Sequence, residues 1–384
     1  MSRTAHSLRV DLVTETWPPE INGVARTLEA LASGLRRRGH RIGVVRPRPE
    51  GGGATGPDEL LVPGMALPGY PGIRLGLPAG RALTRRWARS RPDAVYIATE
   101  GPLGHSALQR ARRLGIPVVA GFHTNFDAYS GHYHLGLLRR PVEAYLRRFH
   151  NRATTTLVPS DEGRQRLEER GFQRLALLGR GVDTELFHPC RRSEALRAEW
   201  GAGSENPVVL HVGRIAPEKN PEGLIEAFRA IRREVPGSRL VVVGDGPASG
   251  RLAAAVPELV LTGPRTGIDL ARHYASGDLF VFPSKTETFG NVVTEAMASG
   301  LAVLAFDRAA AGRYIRDGFN GRLVQPTDDA GFTAAAAELA ADVDALARLG
   351  REARRTAEGI GWEAVIAEFE ERLRAVTTTE GRAA

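Results

Sequence analysis

Apolar residues in the first half of the chain fall into short runs separated by longer stretches of helical period. Residues 8–14, 41–46, 94–98, 117–121, 154–158 and 175–178 are brief and rich in apolar or β-branched side chains, the pattern of strands buried on both faces of a parallel sheet. Residues 24–38, 81–89, 106–114, 135–151 and 161–170 repeat their apolar positions three and four apart, as amphipathic helices do. Strand and helix alternate throughout, which predicts a doubly wound α/β sheet. The Gly- and Pro-rich stretch 47–78 reads as one long irregular connection. The pattern then restarts, with strands expected at 208–212, 239–244, 259–262, 279–282, 301–305 and 321–324. Helices are expected at 221–233, 250–256, 267–276, 291–299 and 328–355. Two Rossmann-like domains follow, 1–185 and 193–358, with ligands in a central cleft at the carboxyl ends of the strands. Beyond a break at 359–361, a last helical segment (361–378) is expected to return to the first domain and complete it.

A length of 384 residues accommodates two such cores. The single cysteine, Cys190, excludes an internal disulfide and fits a reducing compartment. No apolar run reaches the roughly 18 residues of a membrane span, and the first residues lack a signal-peptide core, so a cytoplasmic location is expected. Charge is uneven. Residues 1–185 hold 28 arginines against 17 acidic residues, a balance of +11, which leaves −3 for the rest of a chain whose total is +8. Such a basic half is expected to face something anionic. Its basic runs lack interleaved aromatics, which argues against nucleic acid. The segment 135–151 combines an apolar stripe (Leu138, Val142, Tyr145, Leu146, Phe149) with five nearby arginines. With the arginines at 81, 85, 86, 89 and 91, it reads as a contact with an anionic membrane surface, peripheral on the inner face, the alternative being a stripe that packs on the sheet of the first domain. Only two lysines occur, Lys219 and Lys285, and Lys is not interchangeable with Arg at a crowded phosphate.

Three segments carry chemistry. Residues 11–26 run from a strand through a Pro-rich turn to Gly23 at a helix start, where an anion can approach free N–H groups. In His211-Val-Gly-Arg-Ile-Ala-Pro-Glu-Lys-Asn-Pro221, Arg214 and Lys219 leave one loop between strand and helix, a clamp suited to a diphosphate. In residues 282–300, Glu287 stands on a loop, Phe289-Gly290-Asn291 opens a helix, and Glu295 lies about one turn inside it. Two carboxylates near one helix start can accept hydroxyl hydrogen bonds from sugar and ribose while the helix end holds phosphate. Other signals are weaker. Residues 244–250 miss the dinucleotide fingerprint, with the third glycine one place late. Asp342-Val-Asp344 lies in an Ala-rich helical stretch, and His132 and His134 read as acceptor-side or structural. No cluster has metal-ligand spacing, so no metal cofactor is expected.

On these segments the chain resembles glycosyltransferase family 4, retaining enzymes of the GT-B fold. The resemblance covers essentially the whole chain. It implies that Arg214 and Lys219 bind the diphosphate of a nucleotide-sugar and stabilise the leaving group. Glu287 would hold the transferred hexose and Glu295 the ribose, while Phe289, Gly290 and Asn291 contact phosphate and sugar. Base contacts would come from backbone near Thr262 and Arg265. Gly23 would approach the donor from the first domain, and His123 would be the cleft histidine near sugar and acceptor. Residues 18–24 and 123–133 look most like bacterial α-mannosyltransferases that use GDP-mannose and glycosylate a lipid or glycolipid. UDP-sugar-dependent transferases and GT-B sugar-nucleotide epimerases remain alternatives.

Overall fold

The structure is a computed structural model that describes residues 6–18, 20, 23–49, 56, 58–66, 74–123, 139–203 and 206–380. It divides into two units. The first contains β1 (Arg9–Val13), α1 (Gly23–Arg37), β2 (Arg41–Pro47), β3 (Glu59–Val62), β4 (Gly64–Ala66), β5 (Arg74–Gly76) and α2 (Gly80–Arg89). It continues with β6 (Ala94–Ile97), α3 (Pro102–Arg113), β7 (Val118–Gly121), α4 (Arg139–His150), β8 (Thr155–Val158), α5 (Asp161–Glu169) and β9 (Leu175–Leu177). Among the described residues, seven strands form one sheet in the order β3-β2-β1-β6-β7-β8-β9, with every pairing parallel. Central strands are buried on both faces, which is why they carry continuous apolar runs.

The stretch 47–78 departs from the expected irregular connection. β3 pairs in parallel with β2, Val44 opposite Glu59, and β4 pairs antiparallel with β5. Its strands are three or four residues long, below the length at which apolar alternation can be read.

The second unit runs from Gly181 to Gly361. It holds α6 (Glu194–Glu199), β10 (Val208–Val212), α7 (Pro221–Glu234), β11 (Arg239–Val243), α8 (Ser249–Ala255), β12 (Val260–Gly263) and α9 (Gly267–Ala275). There follow β13 (Leu279–Phe282), α10 (Asn291–Ala298), β14 (Ala302–Phe306), α11 (Ala309–Tyr314), β15 (Arg322–Val324), α12 (Asp329–Ala341) and α13 (Val343–Glu358). Among its described residues six strands are ordered β12-β11-β10-β13-β14-β15, again all parallel. The helix expected over 328–355 is two helices. The Asp342 side chain accepts from Ala345 N at 2.8 Å, capping α13 and ending α12.

The first boundary lies at Arg180/Gly181, ahead of residue 185. Val182 N bonds Ile360 O at 3.0 Å and so ties this segment to the second unit. The last helix, α14 (Trp362–Glu380), belongs to the first unit, where Ile366, Phe369 and Leu373 join the core of β1, β6 and α1. Among the described residues no helix is long and apolar enough to cross a membrane.

Candidate active site

In the second unit the chain winds outward from β10 to β12 on one side and then from β13 to β15 on the other. Ligands of such sheets bind where the winding reverses, outside the carboxyl ends of the two central strands. Here those ends lead into the Arg214–Lys219 loop after β10 and the Glu287 loop after β13.

Lys219 closes a short 3₁₀ turn (Pro217–Lys219), and its Nζ bonds Glu287 Oε1. Both side chains are largely shielded, at 24% and 13% exposure, so the attraction is poorly screened by solvent. Two contacts pin the loops together. Thr286 Oγ1 donates to Glu218 O at 2.8 Å, and Asn220 Nδ2 donates to Pro283 O at 3.2 Å. Asn220 itself is left-handed (φ +56°), a conformation Asn tolerates better than most residues, and its side-chain oxygen caps α7 by accepting from Gly223 N. Arg214, about half exposed, pairs with Glu218 four residues on. Glu218 is held below the ordinary carboxylate range: burial pushes it up most strongly, and the Arg214 bond, a backbone bond and the charges of Arg214 and Lys219 together outweigh burial. His211, buried beneath the loop, donates from Nδ1 to Val281 O at 3.0 Å. Burial lowers its basicity, and Lys219 lowers it further.

The 244–250 turn lies against this loop. A Cβ on Gly244 would collide with the Gly213 carbonyl, and one on Gly246 with the Ile215 carbonyl. Those two glycines therefore serve close backbone approach.

Gly290 precedes α10 in a left-handed conformation (φ +87°, ψ +60°), and no side chain among the described residues caps the helix. Its first N–H groups and the positive end of its dipole are thus available to an anion. Asn291 Oδ1 is buried and meets no donor among the described residues. Phe289 is buried, and its carbonyl accepts from Ala310 N at 2.8 Å, which anchors the turn. Glu295 is 8% exposed, and its Oε2 accepts from Tyr274 Oη at 2.9 Å. Thr262 Oγ1 bonds the Gly263 carbonyl at 3.1 Å, whereas exposed Arg265 bonds Thr262 O at 3.0 Å. The two lysines part company: Lys285 pairs with Asp329 at the start of α12 and covers the Phe306 ring at 5.2 Å, away from the Lys219 loop.

In the first unit, Gly23 is the first residue of α1, and its carbonyl accepts from Thr27 Oγ1 at 2.7 Å. His123 follows β7. Arg180 Nη2 donates to its Nδ1 at 3.3 Å, and since guanidinium can only donate, the ring proton lies on Nε2, which donates to Tyr96 Oη at 3.1 Å. Burial, then the charges of Arg180 and His150, push His123 down to about 3. The ring is therefore neutral with both nitrogens engaged. His132 and His134 lie outside the described residues. Arg180, Tyr96, Glu218 and Tyr274 were not singled out in the sequence. Glu218, at i+4 from Arg214, was readable from spacing; the others join residues far apart in the chain.

Comparisons with known proteins agree on one family. The family model Glycosyltransferase Family 4 matches residues 21–186, and Glycosyl transferases group 1 matches residues 206–342. The GDP-mannose-dependent alpha-mannosyltransferase of Mycobacterium tuberculosis is 38% identical over 308 residues, covering 78% of this chain and 79% of that protein. The alpha-monoglucosyldiacylglycerol synthase of Acholeplasma laidlawii is 27% identical over 338 residues, covering 82% and 84%. Among solved structures, the sucrose-phosphate synthase of Thermosynechococcus elongatus superposes with a TM-score of 0.79 over 97% of this chain and 100% of its own, at 18% identity, a likeness of fold. With two Rossmann-like units in the GT-B manner, the chain belongs to glycosyltransferase family 4 and is a hexose-transferring enzyme.

Proposed function

We propose that the chain is a retaining α-mannosyltransferase that moves mannose from GDP-mannose to a hydroxyl of a lipid or glycolipid, without a metal. The observation that carries this reading is the 38% identity to a GDP-mannose-dependent enzyme over most of the chain. The Lys219–Glu287 pair at the switch point of the second unit supports it. Lys219 and Arg214 face the diphosphate, the start of α10 takes a phosphate oxygen, and Glu287 and Glu295 accept hydroxyls of sugar and ribose. In the reaction the bond from sugar C1 to the diphosphate oxygen breaks as the acceptor oxygen bonds C1 on the same face. The departing phosphate oxygen takes the acceptor proton, and GDP leaves with its charge stabilised by the two cations and the helix end.

Membrane attachment through α4 is part of the proposal, and the helix supports it only in part. Leu146 and Phe149 are buried in the first unit, whereas Val142 and Tyr145 are 44% and 39% exposed beside exposed Arg140, Arg147 and Arg148. Leu138 lies outside the described residues. In the neighbouring basic run Arg86 turns inward to Asp11 at 2.7 Å, and Arg91 bonds the carbonyls of Leu114 and Gly115, so these two are committed to the fold.

The glucosyl-lipid synthase relative favours a second reading, transfer of glucose rather than mannose at the same site, for which UDP-glucose is the donor to test. Incubating the purified chain with GDP-mannose or UDP-glucose and a membrane lipid extract decides between them by mass spectrometry. The expected result is a mannosylated lipid with release of GDP. Transfer from UDP-glucose alone, or conversion of the donor sugar without an acceptor, overturns the proposal.

A further inference from the structure

The first unit has a switch point of its own, between β1 and β6, where the winding toward β3 gives way to the winding toward β9. Glu15 follows β1 there and Glu100 follows β6. A groove of about 500 Å³ opens beside Glu100, lined among the described residues by Gly101, His105, Ser106, Gln109 and Tyr145. We propose that this groove binds the head of the acceptor, and that this head is a sugar or polyol ring carrying no phosphate. The inference rests on the transferase reading and specifies its acceptor.

The lining has the chemistry of a hydroxylated ring. Tyr145 and His105 stack at 5.8 Å between ring centres, which gives a flat apolar platform. Tyr145 is fixed by its hydroxyl, which donates to the Glu100 carbonyl. The Glu100 carboxylate, at the edge of the groove, accepts from the Nε2–H of buried His150 at 3.1 Å. Gln109 Nε2 donates to His105 Nε2 at 2.7 Å, which puts the His105 proton on Nδ1. That Nδ1 is buried and has no acceptor among the described residues. Acceptor, donor and aromatic face thus converge in a space within the size range of small-ligand sites.

Phosphate is disfavoured for a structural reason. The start of α3 borders the groove and is where an anion would bind, but the protein's own carboxyl occupies it: Glu15 Oε1 accepts from Leu103 N at 3.3 Å. Gly101 is required for this arrangement, because a Cβ there would run into the Glu15 carboxyl. The groove is also joined to its surroundings on two sides. His150, which holds Glu100, packs on Phe122 at 5.1 Å, next to His123, and Tyr145 belongs at once to the groove and to the exposed face of α4. A lipid whose head enters the groove would leave its tail on that apolar and basic face.

Calorimetry on the full chain tests this, with monomeric octyl glucoside as the uncharged probe and inositol 1-phosphate as the phosphorylated one. Octyl glucoside is expected to bind saturably, roughly tenfold more weakly in Tyr145→Ala and Gln109→Ala, a change equal to about 1.4 kcal/mol. Binding should be unchanged in Lys219→Ala, and inositol 1-phosphate should not compete. Absence of saturable binding, equal affinity in both groove variants, or effective competition by inositol 1-phosphate overturns the proposal. Failure of the donor reading shows separately, as GDP that does not bind or that binds equally well to Lys219→Ala.

Discussion

Lys219 and Glu287 come from loops 68 residues apart and meet only because β10 and β13 are neighbours. In the transferase reading each meets the donor, so Lys219→Ala and Glu287→Ala should each lower kcat/KM by about a hundredfold or more, roughly 3 kcal/mol of transition-state stabilisation, with the fold intact. Steady-state kinetics with circular dichroism checks both parts. Glu295 differs in being almost fully buried and held by Tyr274. Tyr274→Phe removes the donor to a buried carboxylate and should destabilise the protein by about 1–3 kcal/mol, read from a denaturant midpoint. His123 makes a pH prediction. Its folded pKa of about 3 lies below the ordinary histidine value of 6.5, so the stability it contributes is present above 6.5 and is lost as pH falls toward 3. Activity should therefore show no His123 step between pH 5 and 8. Arg180→Gln, which removes one of the opposing charges, should raise the pKa seen in the ring NMR signals. The residue types were legible in the sequence, because Arg, Lys and Glu at strand ends already point to a phosphate and hydroxyl site. Their partners were not, since Tyr274 and Glu295, or Arg180 and His123, share no local spacing.

At the scale of elements, the approach to α10 depends on one backbone conformation. Gly290 is left-handed (φ +87°), so Gly290→Ala should cost about 1–2 kcal/mol from backbone strain alone. It should also weaken GDP binding, because the helix start shifts; thermal melting and calorimetry separate the two effects. Long apolar strands and strongly amphipathic helices were readable, with ends displaced by a few residues. The misses have local causes. α12 is so rich in alanine that it shows almost no periodicity, and its junction with α13 is set by the Asp342 cap. β3 is an edge strand whose existence depends on β2 offering its free side.

For the whole molecule, the return of α14 to the first unit joins the residues farthest apart in sequence, as where Arg374 bonds the His6 carbonyl. Gly34 on α1 has no room for a Cβ because Ile366 fills the space, and Phe369 meets the Tyr96 ring edge-on at 5.0 Å. Ile366 is fully buried, so Ile366→Ala should destabilise by about 2–5 kcal/mol by denaturant unfolding. Two carboxyls in this unit move stability in opposite directions with pH. Burial pushes Glu370 up, but bonds from Arg38 and Arg374 outweigh it and hold it at about 2. Its contribution is therefore present above the ordinary glutamate value of 4.5 and is lost as pH falls toward 2. Glu15 is raised by burial to about 7, so its contribution is full below 4.5 and is lost as pH rises through 7. Glu15→Gln should accordingly gain stability relative to the parent between pH 5 and 8, measured by denaturant midpoints. The sequence by itself determined the two-fold repetition of parallel α/β units, the basic first half and the phosphate-facing residue types, because periodicity, charge and strand-end motifs are local properties. Only the tertiary structure decided which strands are neighbours, and through them the Lys219–Glu287 pair, the neutral His123 ring and the Glu15-occupied start of α3. Each of these depends on burial and on contacts between residues distant in the chain, which no local pattern encodes.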